Sequence, residues 1–345
     1  MAWSLSATGA RVARSVGLRS RWRSPYAVSH ASGVAQRGTR ASGDTVYARV
    51  YHARADAFSQ ADRKALDACR AQLGHDGDVL ERAAATGAPL SALAALAEGW
   101  DRLPEATRAH VRDPLGTPAT TEGAAAHHVT WGTTRAVQVD QTTCGAAVIA
   151  MELMITDPFV ALWVTTGRVL ADYVPAEVTM IKDLGRSLRS TQARWNGLQR
   201  ALHTAANQGA VAGFNWPRSL GTPPWRVDNV LRVAGLKFSA VLIDDSSVTD
   251  VSAMIAHAAA ALRESIPVPV YTGGDSRMGL GAMVPRHVVL LTSVTDHAFS
   301  VYEPSSGEVR QLPAALWLAD GAVRPALGFW NRICCLVLPV PRKRD

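Results

Sequence analysis

The sequence predicts an α+β fold in which helices come first and a mainly antiparallel sheet comes last. Apolar residues at helical spacing dominate up to residue 208. Short runs rich in β-branched residues, which favour strands, follow in the last third of the chain. One apolar run without Gly or Pro, residues 148–155, comes shortly after Cys144 and indicates a buried helix. We therefore expect helices packed on a sheet, with a cleft between the two halves.

Composition divides the chain into three regions. Residues 1–45 are expected to be a disordered basic tail, because residues 1–43 hold seven Arg and no acidic residue. From Asp44 onward the chain has 29 basic and 29 acidic residues, so the formal charge of +7 belongs to the tail. Residues 46–125 are predicted to be a helical extension, either a lid or docking element or a cover for the main core. Residues 126–345 are predicted to form the main domain.

Local patterns place the elements of that main domain. Strands are expected at residues 238–243, 268–272, 287–292, 298–302 and 333–338, and helices at 158–172, 183–208 and 248–263. A loop dense in Trp, Pro and Gly covers residues 213–225. Its two Trp residues are expected either to form a wall of a substrate cleft or to pack on the core.

Several classes of protein are disfavoured by the sequence. No apolar run approaches the ~20 residues of a membrane helix, so we expect no transmembrane segment. No phosphate loop, dinucleotide fingerprint or metal-ligand spacing is present, so no cofactor and no metal is predicted. The four Cys residues show no disulfide-like or zinc-like spacing, which indicates a reducing compartment and predicts a cytoplasmic protein. The neutral body predicts no specific nucleic-acid partner, and the oligomeric state stays open.

Cys144 is the strongest candidate for a reactive group. It is expected at the start of a helix, where the partial positive charge of the helix N-terminus favours a thiolate, the nucleophilic form. Gln138 lies six residues before it and Gly145 follows it directly. His287 opens a predicted strand, and Glu303 follows one hairpin later. A nucleophile at a helix start, a base on a strand and a carboxylate beyond it are the groups that a Cys/His/acid hydrolase needs.

Two segments carry a family resemblance. Residues 138–151, QVDQTTCGAAVIAM, resemble the nucleophile motif of the bacteriocin-processing peptidases, papain-like cysteine peptidases that remove double-glycine leaders. Residues 287–307, HVVLLTSVTDHAFSVYEPSSG, resemble their second motif. The family usually has Asp where this chain has Glu303, and the stretch between the two motifs is longer here than in compact members.

The resemblance implies a papain-like fold and a cysteine peptidase or amide hydrolase that acts on a peptide or protein substrate. It implies Cys144 as nucleophile, His287 as general base, Glu303 as the residue that orients His287, and Gln138 as oxyanion-hole donor. Gln141, three residues before Cys144, is a rival for the amide role. Two other functions stay open: a catalytically silent peptide-binding module of the same fold, and a Cys-dependent acyltransferase.

Overall fold

A computed structural model gives the structure of the chain, and it describes residues 4–15, 45–117, 126–181, 188–209, 215, 221–231 and 235–340. Helices and a mainly antiparallel sheet combine in it, so the predicted α+β class is confirmed. The α-helices are α1 (Leu5–Ser15), α2 (Val46–Ala57), α3 (Gln60–Leu73), α4 (Gly77–Ala85), α5 (Leu90–Trp100), α6 (Glu105–Arg112), α7 (Cys144–Thr156), α8 (Pro158–Thr166), α9 (Ala176–Thr179), α10 (Thr191–Asn207) and α11 (Val248–Arg263).

The main sheet has seven strands, all paired antiparallel. The nine strands of the described chain are β1 (His127–His128), β2 (Thr130–Trp131), β3 (Thr134–Arg135), β4 (Lys237–Leu242), β5 (Val268–Gly273), β6 (Pro285–Val294), β7 (Ala298–Glu303), β8 (Glu308–Pro313) and β9 (Arg332–Val340). Their order in the sheet is β1-β8-β7-β6-β5-β9-β4, while β2 and β3 form a separate small ribbon. The sheet therefore has β6 at its centre and β4 at one edge.

The prediction of a disordered tail is wrong for residues 5–15, which form helix α1. This helix lies against β4 and β9 and buries Ala7 and Ala10, which are 2% and 0% exposed. Its contact face consists of small residues. The prediction rests on the Arg-rich composition of the whole segment, and such a count does not register a helix of 11 residues within it. Residues 1–3 and 16–44, the rest of the predicted tail apart from Ser4 and Thr45, lie outside the described residues.

The helical region 46–125 contains helices α2 to α6 and shares one continuous apolar core with the rest of the molecule. Arg82, on α4, bonds to both the helical region and the main domain. Its guanidinium donates to the carbonyl oxygen of Ile155 near the end of α7 (2.6 Å) and to that of Arg112 at the end of α6 (3.0 Å). One buried cation thus satisfies carbonyl groups at two helix ends, where no further helical donor is available.

Boundaries of the later helices differ from the predicted ones for local reasons. Helix α8 ends at Thr166 and not at residue 172, because Gly167 adopts a left-handed conformation that closes the helix. Helix α10 begins at Thr191, capped by the Ser190 side chain, and the predicted start at residue 183 lies outside the described residues. The predicted stripe on this helix is fully buried, and its members are Trp195, Leu198, Leu202 and Ala206.

Within the described residues, the structure has no single helix with the length and hydropathy to cross a membrane, and only α7 and α8 taken together, bent by 112°, would meet that test.

Candidate active site

Helix α7 begins at Cys144 because the preceding turn is fixed by its own side chains. The carboxylate of Asp140 accepts hydrogen bonds from the backbone N–H and the hydroxyl of Thr142, at 2.8 and 2.7 Å. The hydroxyl of Thr143 donates to the carbonyl oxygen of Asp140 at 3.0 Å. These Asx-type bonds replace helical bonds before the helix starts, so the chain enters α7 with Cys144 in its first turn.

Gly145 brings a second segment close to this helix start. A Cβ atom at this position would lie 2.7 Å from Cβ of Thr222, a distance that real Cβ atoms do not reach. The absence of a side chain therefore lets residues 221–225 pass directly beside Cys144. Trp225, at the end of this segment, is 51% exposed, so this Trp does not pack in the core. Trp216, the other Trp of the predicted loop, lies outside the described residues.

His287 and Glu303 form a buried pair on neighbouring strands. Nε2 of His287, on β6, lies 2.8 Å from Oε1 of Glu303, the last residue of β7. His287 is 8% exposed and Glu303 is 1% exposed. Three further donors hold the carboxylate: the hydroxyl and backbone N–H of Ser305 and the backbone N–H of Ser306. Because Nε2 is engaged by Glu303, Nδ1 is the ring nitrogen available to another partner.

The charges of this pair are set by their contacts. Burial alone lowers the pKa of His287, but the side-chain hydrogen bonds with Cys144 and Glu303 outweigh burial and raise the pKa to about 9. Burial raises the pKa of Glu303, but the hydrogen bonds from His287 and Ser305 prevail and lower it to about 2. Both shifts favour an imidazolium paired with a carboxylate around neutral pH, and Cys144 acts on the same ring. The three residues predicted as nucleophile, base and orienting acid are brought together.

Gly328 is a site residue that sequence reasoning missed. Its φ of +67° is left-handed, and a Cβ atom there would lie 2.2 Å from Cδ2 and 2.6 Å from Nε2 of His287. The preceding residue is fixed, because the buried hydroxyl of Thr272 donates to the carbonyl oxygen of Leu327 at 3.0 Å. The backbone at Gly328 thus covers the edge of the imidazole that bonds Glu303. A single Gly in a turn gives no sequence signal for such a contact.

Gln138 lies beside the site but points back to its own turn. Its backbone N–H donates to the carbonyl oxygen of Pro304, the residue after Glu303, at 2.8 Å. Its side-chain nitrogen donates to the carbonyl oxygen of Asp140, also at 2.8 Å. Among the described residues, Gln141 and not Gln138 lines the cavity next to Cys144. The role of Gln138 as oxyanion-hole donor stays a prediction, and the rival Gln141 has the more direct access.

A cavity of about 620 Å³ opens next to Cys144 and His287. Helix starts, strand residues and the 221–225 segment all contribute to it. Its described lining consists of Ser6, Gln141, Cys144, Gly221, Thr222, Pro223, Pro224, Trp225, Ala240, Leu242, Tyr271, Val284, Pro285, Arg286, His287, Val288 and Cys335. Most of these side chains are apolar, as in sites that bind small organic groups. The residues that the structure describes include no cluster of three His, Cys, Asp or Glu side chains that could bind a metal ion.

Comparison of the chain with known protein families, with curated proteins and with solved structures found no match. The functional argument therefore rests on the residues and the geometry of the site.

Proposed function

We propose that this protein is a papain-like cysteine hydrolase that cleaves a peptide or peptide-like amide, with Cys144 as nucleophile, His287 as acid and base, and Glu303 as the residue that orients His287. The observation that supports this most directly is the buried imidazole, which bonds Glu303 through Nε2 and interacts with Cys144. The order of α7 and α10 before an antiparallel sheet agrees with a papain-like layout.

The proposed reaction uses the three groups in turn. The Cys144 thiolate attacks the substrate carbonyl carbon and forms a tetrahedral oxyanion. The imidazolium of His287 gives its Nδ1 proton to the leaving amine as the C–N bond breaks, which leaves a thioester and a neutral ring. The neutral ring then takes a proton from water, the resulting hydroxide attacks the thioester carbonyl, and the acid product leaves as the thiolate and imidazolium are restored.

Oxyanion stabilisation needs two donors near the Cys144 sulfur. The backbone N–H of Cys144 lies at the free end of α7, where helix N–H groups have no helical acceptor. The second donor is a side-chain amide, from Gln138 or from Gln141. Replacement of the true donor by Ala lowers the catalytic rate by roughly 10²–10³-fold. Comparison of the rates of Gln138→Ala and Gln141→Ala therefore assigns the role, since the other variant is close to wild type.

The function is tested with a peptidyl acyloxymethyl ketone, a reagent that alkylates activated active-site thiols. We expect labelling at Cys144 in the wild type, no labelling of that site in Cys144→Ala and strongly reduced labelling in His287→Ala. Cys69→Ala is the matched control, because Cys69 is a half-buried free thiol on α3, and this variant keeps full labelling.

Absence of labelling at Cys144 in the folded wild type would contradict the hydrolase proposal and leave the silent peptide-binding module. Product analysis separates the remaining alternatives. Incubation of a peptide library in ¹⁸O-labelled water with added glycinamide yields ¹⁸O-labelled carboxylates from a hydrolase. An acyltransferase yields glycinamide adducts instead.

A further inference from the structure

We infer that helix α1 forms the far wall of the cavity beside Cys144, and that this cavity binds one large, uncharged apolar group of the substrate. The inference deepens the proposed function, since it names what the substrate must carry next to the scissile bond. It starts from a feature outside the predicted domain: Ser6, in the first turn of α1, lines the same cavity as Cys144 and His287.

A row of register partners connects the catalytic strand to α1. Val288 on β6 pairs with Tyr271 on β5, Tyr271 pairs with Cys335 on β9, and Cys335 pairs with Leu242 on β4. All four residues line the cavity. Three strand spacings of about 4.8 Å give this row a length of about 14 Å. The cavity therefore runs across the sheet, from the strand of His287 to the edge strand.

Helix α1 lies at the far end of that row. A Cβ atom on Gly9 would lie 3.3 Å from Cδ1 of Leu242, so the helix backbone approaches the last residue of the row closely. The backbone N–H of Leu5 donates to the carbonyl oxygen of Met283 at 3.2 Å. At the next turns, the Arg11 guanidinium lies 3.2 Å from the carboxylate of Asp244. These contacts hold α1 at Leu5 and at Arg11, and Ser6, between them, lines the far end of the cavity.

The lining defines the chemistry of the group that fits. The described lining residues include no Asp or Glu, and their cations are the exposed Arg286 and the imidazolium of His287. A cationic substrate side chain would lose hydration there and gain no counter-ion, so it is disfavoured. Pro223, Trp225 and Tyr271 offer apolar surface. A volume of about 620 Å³ lies within the range of roughly 300–1,000 Å³ of small-molecule sites, which suits a large aromatic or aliphatic group.

The test measures alkylation of Cys144 in the full-length protein by three haloacetamides, with mass spectrometry to assign the site. The reagents are iodoacetamide, its N-phenethyl derivative and its N-(4-aminobutyl) derivative. After correction for their rates with a free thiol, we expect the phenethyl reagent to react at least tenfold faster than iodoacetamide and to saturate. The aminobutyl reagent is expected to show no such advantage.

Two variants of α1 test the wall. Ser6→Trp fills the far end of the cavity, so its rate with the phenethyl reagent falls to within about twofold of its own rate with iodoacetamide. Val12→Trp places the same side chain on the same helix at a position 56% exposed and outside the cavity lining, and it keeps the advantage. If Ser6→Trp does not fold, deletion of residues 1–15 removes the wall and must lower the advantage in the same way.

Each outcome bears on a separate claim. A phenethyl advantage that survives both Ser6→Trp and the deletion overturns the role of α1, and absence of any advantage overturns the apolar site. If iodoacetamide reacts with Cys144 no faster than with Cys69, the proposed catalytic function fails instead. Binding is then decided in Cys144→Ala by saturation-transfer NMR with N-acetylphenylalanine methylamide. The signal is expected in this variant and lost when Ser6→Trp is added, and its absence in Cys144→Ala overturns the site.

Discussion

At the scale of single residues, the site depends on how His287 is held. Glu303 bonds one ring nitrogen, Cys144 interacts with the ring, and the backbone of Gly328 covers one edge. Each contact restricts a different motion of the imidazole. The protonation of His287 and the position of its ring can therefore be measured separately.

Replacement of Glu303 by Gln should move the titration of His287 to lower pH. The pKa of His287 is raised to about 9, and Glu303 contributes to that rise by a hydrogen bond and by its charge. Because folding raises this pKa above 6.5, its stabilising contribution is complete below about pH 6.5 and is lost as the pH rises through about 9. In Glu303→Gln this stabilising contribution is lost at lower pH.

NMR titration of ¹⁵N-labelled His side chains measures this shift, and His287→Gln identifies the signal. Glu308→Gln is the control, because Glu308 is also on the sheet and contacts another histidine, His128. It should leave the titration of His287 in place. Equal titration curves for the wild type and Glu303→Gln would contradict the role of Glu303.

Gly328→Ala should displace the imidazole. A methyl group there meets the ring at 2.2 Å and also strains the left-handed backbone, so the ring or the turn must move. We expect at least a tenfold slower alkylation of Cys144 at neutral pH and an altered titration of His287. Gly132→Ala is the matched control, since Gly132 has a φ of +61° and open space around its Cβ position. A similar loss of alkylation rate in both variants would mean that strain of the left-handed backbone, and not contact with the ring, causes the loss.

At the scale of elements, the position of Cys144 depends on close packing between α7 and the 221–225 segment. Gly145→Ala puts a methyl group 2.7 Å from Cβ of Thr222, so the segment must move away from the helix start. We expect a lower melting temperature and slower alkylation of Cys144. The double variant Gly145→Ala/Thr222→Gly removes the clash, and it should recover part of both losses. Thr222→Gly alone measures how much the added Gly lowers the melting temperature and the rate of alkylation.

Most sheet elements were predictable from local pattern, because buried strands are short apolar runs. The helix predicted at residues 248–263 has those bounds, and the strand predicted at 268–272 ends one residue later. Strand β8, with Glu308 and Arg310, was missed because its composition is polar. The two residues of β1 form a strand through pairing with β8, a contact made across the fold.

The candidate site was predictable only where chemistry and spacing act locally. Cys144, His287 and Glu303 belong to motifs with recognisable neighbours, and the structure brings them together. Gly328 and Ser6 reach the site through tertiary packing, so no pattern around them indicates it. Local sequence thus indicates the candidate reactive groups, while the residues that shape and cover them can be found only from the fold.

At the scale of the whole molecule, we expect the helical region and the sheet region to unfold as one unit, because they share one apolar core. Arg82 joins them, since it is 8% exposed and bonds carbonyl oxygens at the ends of both α6 and α7. Arg82→Met leaves those partly buried acceptors without this donor. We expect a loss of about 2–4 kcal/mol in the free energy of unfolding, within the range for broken buried networks.

Chemical denaturation followed by both far-UV circular dichroism and Trp fluorescence measures this loss. The two signals should coincide in the wild type. Arg102→Met, at an exposed position on the same helical region, should change stability by less than about 0.5 kcal/mol. An early separate transition of the helical region would show instead that residues 46–112 form an independent unit.

The hairpin of β6 and β7 has a consequence for the order in which the site assembles during folding. His287 and Glu303 are 16 residues apart, and a turn closed by the N–H of Thr295 on the carbonyl oxygen of Ala298 joins their strands. A short loop closes at small entropic cost, whereas Cys144 reaches the hairpin across a much longer stretch of chain. We therefore expect His287 and Glu303 to meet early during folding and Cys144 to join them last. On this order, the sulfur of Cys144 reaches His287 only when α7 docks on the sheet.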